Sequence, residues 1–317
     1  TDVQHVVENI LQLKLSYFLH EDYGFYSYSE HYALGDIFVL CSHELDKGVL
    51  VELKGRGCRQ FEIYLLAQQR SWYEFFMDVL VAGGVMKRLD LAINDKTGIL
   101  DIPVLTEKCQ QEECISVFRS FKSYRSGELV RKEEKECMGN TLYIGSLQSE
   151  VYFCIYEKDY EQYKKNDIPI EDAEVKNRFE IRLKNERAYY AVRDLLVYDN
   201  PEHTAFKIIN RYIRFVDKDD SKPRSDWKLN EEWAWFIGNN RERVKLTTKP
   251  EPYSFQRTLN WLSHQVAPTL KVAIKLDEIN QTHVVKDILD HAKLTDRHKQ
   301  SLKQQSVKEQ DVITTKK

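Results

Sequence analysis

The chain has no run of apolar residues near the roughly eighteen that a membrane-spanning helix needs, and no basic-then-apolar leader at its start. Membrane insertion is not expected, and the cytoplasm is the expected compartment. Cysteine is sparse. The six residues, at 41, 58, 109, 114, 137 and 154, show no paired C-x-x-C spacing, and the nine histidines are too scattered to complete a zinc site. Reduced thiols are the simple expectation. Positive charge is not in excess either, with 47 Lys and Arg against 50 Asp and Glu and a net charge of −3. A generic phosphate binder is basic, so any contact with nucleic acid has to come from a local patch. Apolar material is plentiful, at 42% of 317 residues, enough to bury one large core or two modest ones.

The most informative stretch is Thr141 to Glu161, TLYIGSLQSEVYFCIYEKDYE. Its Tyr, Ile, Val, Phe and Cys residues, broken by Gly145 and Ser146, predict two strands meeting at a tight turn. Side chains alternate faces along a strand, so Val151, Phe153 and Ile155 face a core. Tyr152, Cys154, Tyr156 and Lys158 then share the other face, with a phenol beside an ammonium. Tyrosine is a poor nucleophile at neutral pH, its free pKa being about 10, unless a cation or metal helps. On pattern alone the ordinary reading of Tyr156 is a half-buried strand aromatic, since the chain holds 18 tyrosines.

At the N-terminus, Val3, Val6, Val7, Ile10 and Leu11 recur at helical spacing. From Gly24 to Glu62 the runs FYSYSEHYAL, DIFVLCS, GVLVELKG and CRQFEIYLL, punctuated by Gly48, Gly55 and Gly57, predict an antiparallel meander. A helix from Ser71 to Ala82 follows, with Ser71 as N-cap and Gly83 and Gly84 as its stop. The strand Met86 to Ile93 closes a β-β-α-β unit. Phe179-Glu180-Ile181 precedes a helix as Phe61-Glu62-Ile63 does, and RYIRFVD at Arg211 to Asp217 stands where RLDLAIN stood. The expected fold is therefore α+β, an antiparallel sheet built from two duplicated β-β-α-β halves, residues 24–95 and 141–218, with a helical C-terminal region. Between the halves, Glu112 to Phe118 reads as a helix and the region near Gly127 as a charged hairpin arm.

After 218 comes a linker, KDDSKPRSDWK, and a region with Trp227, Trp233, Trp235 and Trp261. Ser254 to Leu276 reads as a helix interrupted at Pro268. From about 299 the Lys/Gln-rich chain reads as disordered. The expected domains are 1–218, 219–298 for DNA binding or oligomerisation, and a tail, 299–317.

Glu62, Asp90 and Glu180 each alternate away from apolar neighbours. Three acids on one sheet suit a hard divalent ion, Mg²⁺ or Mn²⁺. The bland alternative is solvated acids pairing with Arg88, Arg178 and Arg182.

Four pieces, GRGCRQFE at Gly55 to Glu62, RLDLAIND at Arg88 to Asp95, YIGS with IYEKDYE, and RFEIRLKNER at Arg178 to Arg187, come in one order. In these stretches the chain resembles the replication initiation factor family, the rolling-circle plasmid initiators and related relaxases of Gram-positive conjugative transposons. The match extends over about residues 50–276, and the relaxases are the nearer likeness. The resemblance implies a sequence-specific enzyme in which Tyr156 attacks an origin phosphodiester and stays on the 5′ phosphate, starting conjugative transfer or rolling-circle replication. Asp90, Glu62 and Glu180 would hold the metal and Lys158 would steady Tyr156 or the phosphate, with Tyr143 as the rival nucleophile. A plasmid initiator of the same chemistry and a non-cleaving origin-binding protein are the alternatives.

Cys154 and Leu147 stand where many plasmid initiators have arginine, leaving fewer fixed positive charges on this strand. The histidine pair of the other large class of tyrosine relaxases is absent, so metal ligation rests on carboxylates. The chain opens on Thr1, which predicts processing or truncation, and such relaxases often carry a small helix-turn-helix module ahead of the catalytic part.

DNA contacts are expected from Arg178, from Lys207, Arg211, Arg214 and Lys218, and from Arg241, Arg243, Lys245 and Lys249, where basic residues interleave with aromatics. The implied partners are origin DNA, duplex and single-stranded, a helicase, a helper DNA-binding protein or coupling protein, and a second copy in a homodimer.

Overall fold

Two hydrophobic cores form, each within its own part of the chain. The structure is a computed structural model that describes residues 2–43, 47–127, 137–166, 168–238, 244–245 and 262–314. Residues Thr1–Ala82 and Thr248–Lys317 make one unit, and Gly83–Thr247 make the other. The expected boundaries at 218 and 298 do not coincide with this division.

In the first unit, α1 (Val3–His5) runs into a π-helical turn, Val6–Ile10, whose Val7 is fully buried. Strands β1 (Leu19–Glu21), β2 (Glu30–Leu34), β3 (Ile37–Cys41) and β4 (Leu50–Leu53) form an antiparallel meander in that order. The fourth expected strand is instead a helix, α2 (Arg56–Ala67). Phe61, Tyr64 and Leu65, at i, i+3 and i+4, are buried together, which a strand would not achieve. Gly57 permits the fit: a Cβ there would meet the Asp36 carbonyl oxygen at 2.2 Å. Helix α3 (Trp72–Val81) starts as expected, with Ser71 and Glu74 forming a reciprocal capping box.

The C-terminal part of this unit holds helices Ala267–Asn280, Val284–His291, Asp296–Gln305 and Glu309–Val312. Pro268 lies in the first turn of its helix, where its missing N–H costs nothing, so it begins that helix and does not interrupt one. Nor is the tail disordered through 314. Val312 is buried, Leu13 bridges to Ile313, and the Lys14 N–H donates to the Val312 carbonyl at 2.8 Å. A few apolar residues, Val307, Val312 and Ile313, anchor a segment whose average composition is polar.

The second unit begins with β5 (Arg88–Asp95) and α4 (Ile102–Gln110). The expected helix at 112–118 is strand β6 (Cys114–Ser116), because the helix ends earlier: Glu112 takes a φ of 62° and breaks the spiral. Then follow β7 (Phe121–Gly127), β8 (Cys137–Ile144), β9 (Val151–Glu157), α5 (Lys158–Asn166) and β10 (Asn177–Lys184). Helices α6 (Asn185–Tyr198) and α7 (Pro201–Tyr212), strands β11 (Ile213–Asp217) and β12 (Lys228–Leu229), helix α8 (Glu231–Ile237) and strand β13 (Val244–Lys245) complete it.

Six strands form one antiparallel sheet in the order β13-β5-β10-β9-β8-β7, and β12-β11-β6 form a smaller one. One face of the large sheet presents Ile93, Leu142, Ile144, Phe153, Ile155, Phe179 and Ile181 to a core shared with α4, α6, α7, β11 and α8. Trp233 and Phe236 of α8 are buried in that core, so the residues from 219 to 247 complete this unit, and the helical C-terminal region is the set of helices from Ala267 onward in the first unit. The mixed helix and antiparallel sheet architecture stands. The duplicated halves do not, since β2–β4 and α2 belong to the first unit and β5 to the second. The strand expected to match β5, β11, lies in the smaller sheet. Among the described residues no helix is long and apolar enough to cross a membrane.

Candidate active site

Antiparallel register places the polar residues of five strands on the face of the large sheet opposite its core. Asp90 on β5 stands opposite Arg182 on β10, which stands opposite Tyr152 on β9. The next row is Ala92, Glu180, Cys154, Tyr143 and Lys122, and the third is Asn94, Arg178, Tyr156, Thr141 and Tyr124. Nothing in the local sequence sets these rows. They follow from pairing strands far apart in the chain.

Within this grid the Tyr156 hydroxyl donates to Glu180 Oε1 at 2.9 Å. Arg182 donates to the other oxygen of Glu180, from Nη2 at 2.7 Å, and its Nε lies 3.9 Å from Asp90 Oδ2. Arg88 grips Asp90 with two bonds, of 2.9 and 2.6 Å. Arg178 Nε donates to Asn94 Oδ1 at 2.8 Å. Lys158 opens α5, with Nζ 5.5 Å from the Tyr156 ring centre, and is ion-paired with Glu161. Two carboxylates and three arginines thus gather around one phenol.

Burial, and then the charge of Glu180, push the Tyr156 phenol well above its ordinary range, while Arg178 opposes them. Burial pulls the Lys158 ammonium down, and Arg178 adds to that. Tyr143 is pushed up to about 12 by burial and by Cys154, and among the described residues it has no carboxylate partner of the kind Tyr156 has in Glu180. Cys154 itself is buried and pushed up to about 11 by that burial, so it is a packing thiol.

Of the three expected metal ligands, Asp90 and Glu180 share this face and Glu62 does not. Glu62 lies on α2 in the first unit, beside Trp72, where burial pushes its carboxyl up. The two acids pair with arginines, as the bland alternative had it, yet both converge on one positive group, the Arg182 guanidinium. A separate group was not anticipated from the sequence. His20, Asp22 and Glu30 in the first unit bring ligand atoms within 4.8 Å of one another. The ring of His20 is shared, Nε2 at 2.7 Å from Glu30 and Nδ1 at 3.7 Å from Asp22. Only the pairing of β1 with β2 brings these residues together, and the scatter of histidines hid it.

The expected DNA-contacting residues divide. Arg178 lies on the polar face. Lys207 on α7 pairs with Asp194, Arg214 on β11 donates to the Ser225 carbonyl, Lys218 pairs with Asp220, and Arg211 is exposed near the end of α7. Those elements pack against the core face. Lys245 is opposite Asn94 in register, and Arg241, Arg243 and Lys249 lie outside the described residues.

Residues 84–289 match the family described as replication initiation factor. The chain belongs to that family. Residues 1–78 match a rolling-circle replication initiation protein N-terminal domain, so the two matches meet where the two units divide, at residues 82 and 83. This family member is 41% identical over 302 residues to a protein of Bacillus subtilis (strain 168) assigned as the DNA relaxase NicK, covering 95% of the chain and 85% of that relative. It also resembles the solved rolling-circle replication initiator protein from Geobacillus stearothermophilus. The TM-score is 0.65 and the identity 26%, over 80% of this chain and 90% of that one.

Proposed function

We propose that this replication initiation factor nicks one strand of origin DNA, with Tyr156 as nucleophile. The observation that carries it is the Tyr156 phenol bonded to Glu180 on a sheet face that also holds Asp90, Arg88, Arg178 and Arg182. The phenolic oxygen attacks the phosphorus, a Tyr156–phosphate bond forms, and the bond to the 3′ oxygen breaks. The phenol's proton passes to Glu180 Oε1, which already accepts it in a hydrogen bond, and the departing 3′ oxygen takes up a proton from water and ends as a hydroxyl, after which Glu180 returns its proton to solvent. Arg178 and Arg182 bind the non-bridging phosphate oxygens, and Lys158 supplies positive charge beside the phenol. The reverse attack by the 3′ hydroxyl closes the strand.

The donor set suits Mg²⁺ or Mn²⁺, since such ions take one or two carboxylates and keep several waters. Asp90 and Glu180 Oε2 would hold the ion, because both already face one cationic group, and Arg182 would turn to the phosphate. When bound, the ion supplies charge stabilisation at the phosphate. Arg211, Arg214, Lys218 and the 241–249 stretch are assigned to duplex DNA flanking the nick. Start of conjugative transfer, replication as a plasmid initiator, and association with a helicase, coupling protein or second copy are biological outcomes consistent with this chemistry.

The test is to incubate the protein with supercoiled plasmid carrying the candidate origin and Mg²⁺ or Mn²⁺. Open circles with protein attached support the reading, and binding without open circles under both metals leaves the non-cleaving alternative.

A further inference from the structure

We propose that Lys122 and Tyr124, on the edge strand β7, form a landing surface for the unpaired DNA strand beside Tyr156. The inference rests on the reading of Tyr156 as nucleophile and names where its substrate runs. Strand β7 ends the large sheet, and every residue from Lys122 to Gly127 is exposed. Pairing with β8 puts Lys122 opposite Tyr143 and Tyr124 opposite Thr141, so both stand on the polar face. Thr141 in turn pairs with Tyr156, which puts Tyr124 in the same row as the nucleophile, two strand spacings or about 10 Å away.

The chemistry of this edge fits a single strand. Tyr124 is 54% exposed, and its ring meets Tyr143 edge-on with centres 5.8 Å apart. That contact fixes the ring while leaving a face open for a base to stack. Lys122 has no acidic partner among the described residues, so its charge is available to a phosphate. Behind them the two rows continue across β8 and β9 to Glu180 and Arg178 on β10. Base stacking on aromatics is indifferent to sequence, so the contact orients the strand and leaves origin choice to other contacts.

The experiment uses the full chain carrying Tyr156→Phe, so that binding is measured without cleavage, and a labelled mixed-sequence single-stranded oligonucleotide as probe. Tyr124→Ala should weaken binding about tenfold, within what stacking of one base contributes. Tyr124→Trp should restore it. Lys122→Ala should reduce the log-log salt slope by about 0.7, the value for one phosphate of a single strand. Tyr190→Ala, which removes a tyrosine 52% exposed on α6, serves as control and should change nothing. Wild-type affinity in both Tyr124→Ala and Lys122→Ala overturns the proposal, as does concentration-dependent self-association that Tyr124→Ala abolishes with DNA affinity intact. Because the probe needs no origin and no nicking, that failure is separate from failure of Tyr156 to form an adduct in the parent protein.

Discussion

The Tyr156 hydroxyl donates to Glu180 Oε1 at 2.9 Å, from neighbouring strands and one step apart in register. The contact orients the phenol and, in the proposed reaction, Glu180 takes its proton, yet the same negative charge opposes ionisation. Positive charge brought to the site, from arginine or from a metal, reverses that opposition.

The nicking rate should therefore climb with pH through the neutral and mildly alkaline range, because little phenolate exists when the phenol's pKa is raised. Glu180→Gln should move the Tyr156 titration to lower pH, read as the difference in tyrosine absorbance between this variant and the same variant carrying Tyr156→Phe. The stability sign follows. The folded state holds this proton longer than the unfolded chain, so the group's contribution to stability is full below the ordinary tyrosine value of about 10 and is lost as pH rises from there through the higher folded-state value. An unmoved titration in Glu180→Gln would remove Glu180 from the account.

Asp90→Ala should abolish metal-dependent nicking, by at least about a hundredfold, without rescue by Mn²⁺. It also frees Arg88 from its two bonds to Asp90, so affinity for DNA should hold or rise while cleavage disappears. Plasmid relaxation beside filter binding separates the two effects, and full nicking in the variant would leave Asp90 as an ordinary ion-pair partner.

Glu62→Gln should keep nicking within about threefold, since the side chain packs beside Trp72 and not on the polar face. The misreading has a physical cause. In a five-residue window around Phe61 and Ile63, alternation and helical spacing look alike. Only the wider set Phe61, Tyr64 and Leu65 separates them. By contrast, β10 was legible because its eight residues alternate strictly between buried and half-buried, and β8 and β9 because the face holding Leu142, Ile144, Val151, Phe153 and Ile155 is wholly apolar. The capping box at Ser71 was legible because it is local. The Tyr156–Glu180 bond, the grip of Arg182 and the His20–Asp22–Glu30 group were not, since each depends on the register of strands distant in sequence. The buried anchor of the tail escaped notice because Val312 acts through one partner segment and no periodic pattern.

Gly145→Ala should destabilise the second unit by about 2 kcal/mol, the scale of a left-handed residue gaining a Cβ. Gly145 has a φ of 95°, and the added Cβ would meet Phe118 Cδ1 at 2.9 Å. A urea melt checks it, and an unchanged midpoint would show that the β8–β9 turn relaxes freely.

Arg211→Gln with Arg214→Gln should flatten the salt dependence of duplex binding by about one to two log-log units, at about 0.9 per phosphate. Cleavage of a bound single-stranded oligonucleotide should survive, because both residues lie on elements packed against the core face. An unchanged slope would place the duplex on another surface.

The most direct test of the account is to trap the protein–DNA adduct with a labelled origin oligonucleotide, digest it, and locate the nucleotide by peptide mapping. The account predicts phosphate on Tyr156, in the peptide spanning FCIYEK, and no adduct in Tyr156→Phe. Attachment at Tyr143, or an adduct that persists in Tyr156→Phe, would contradict it.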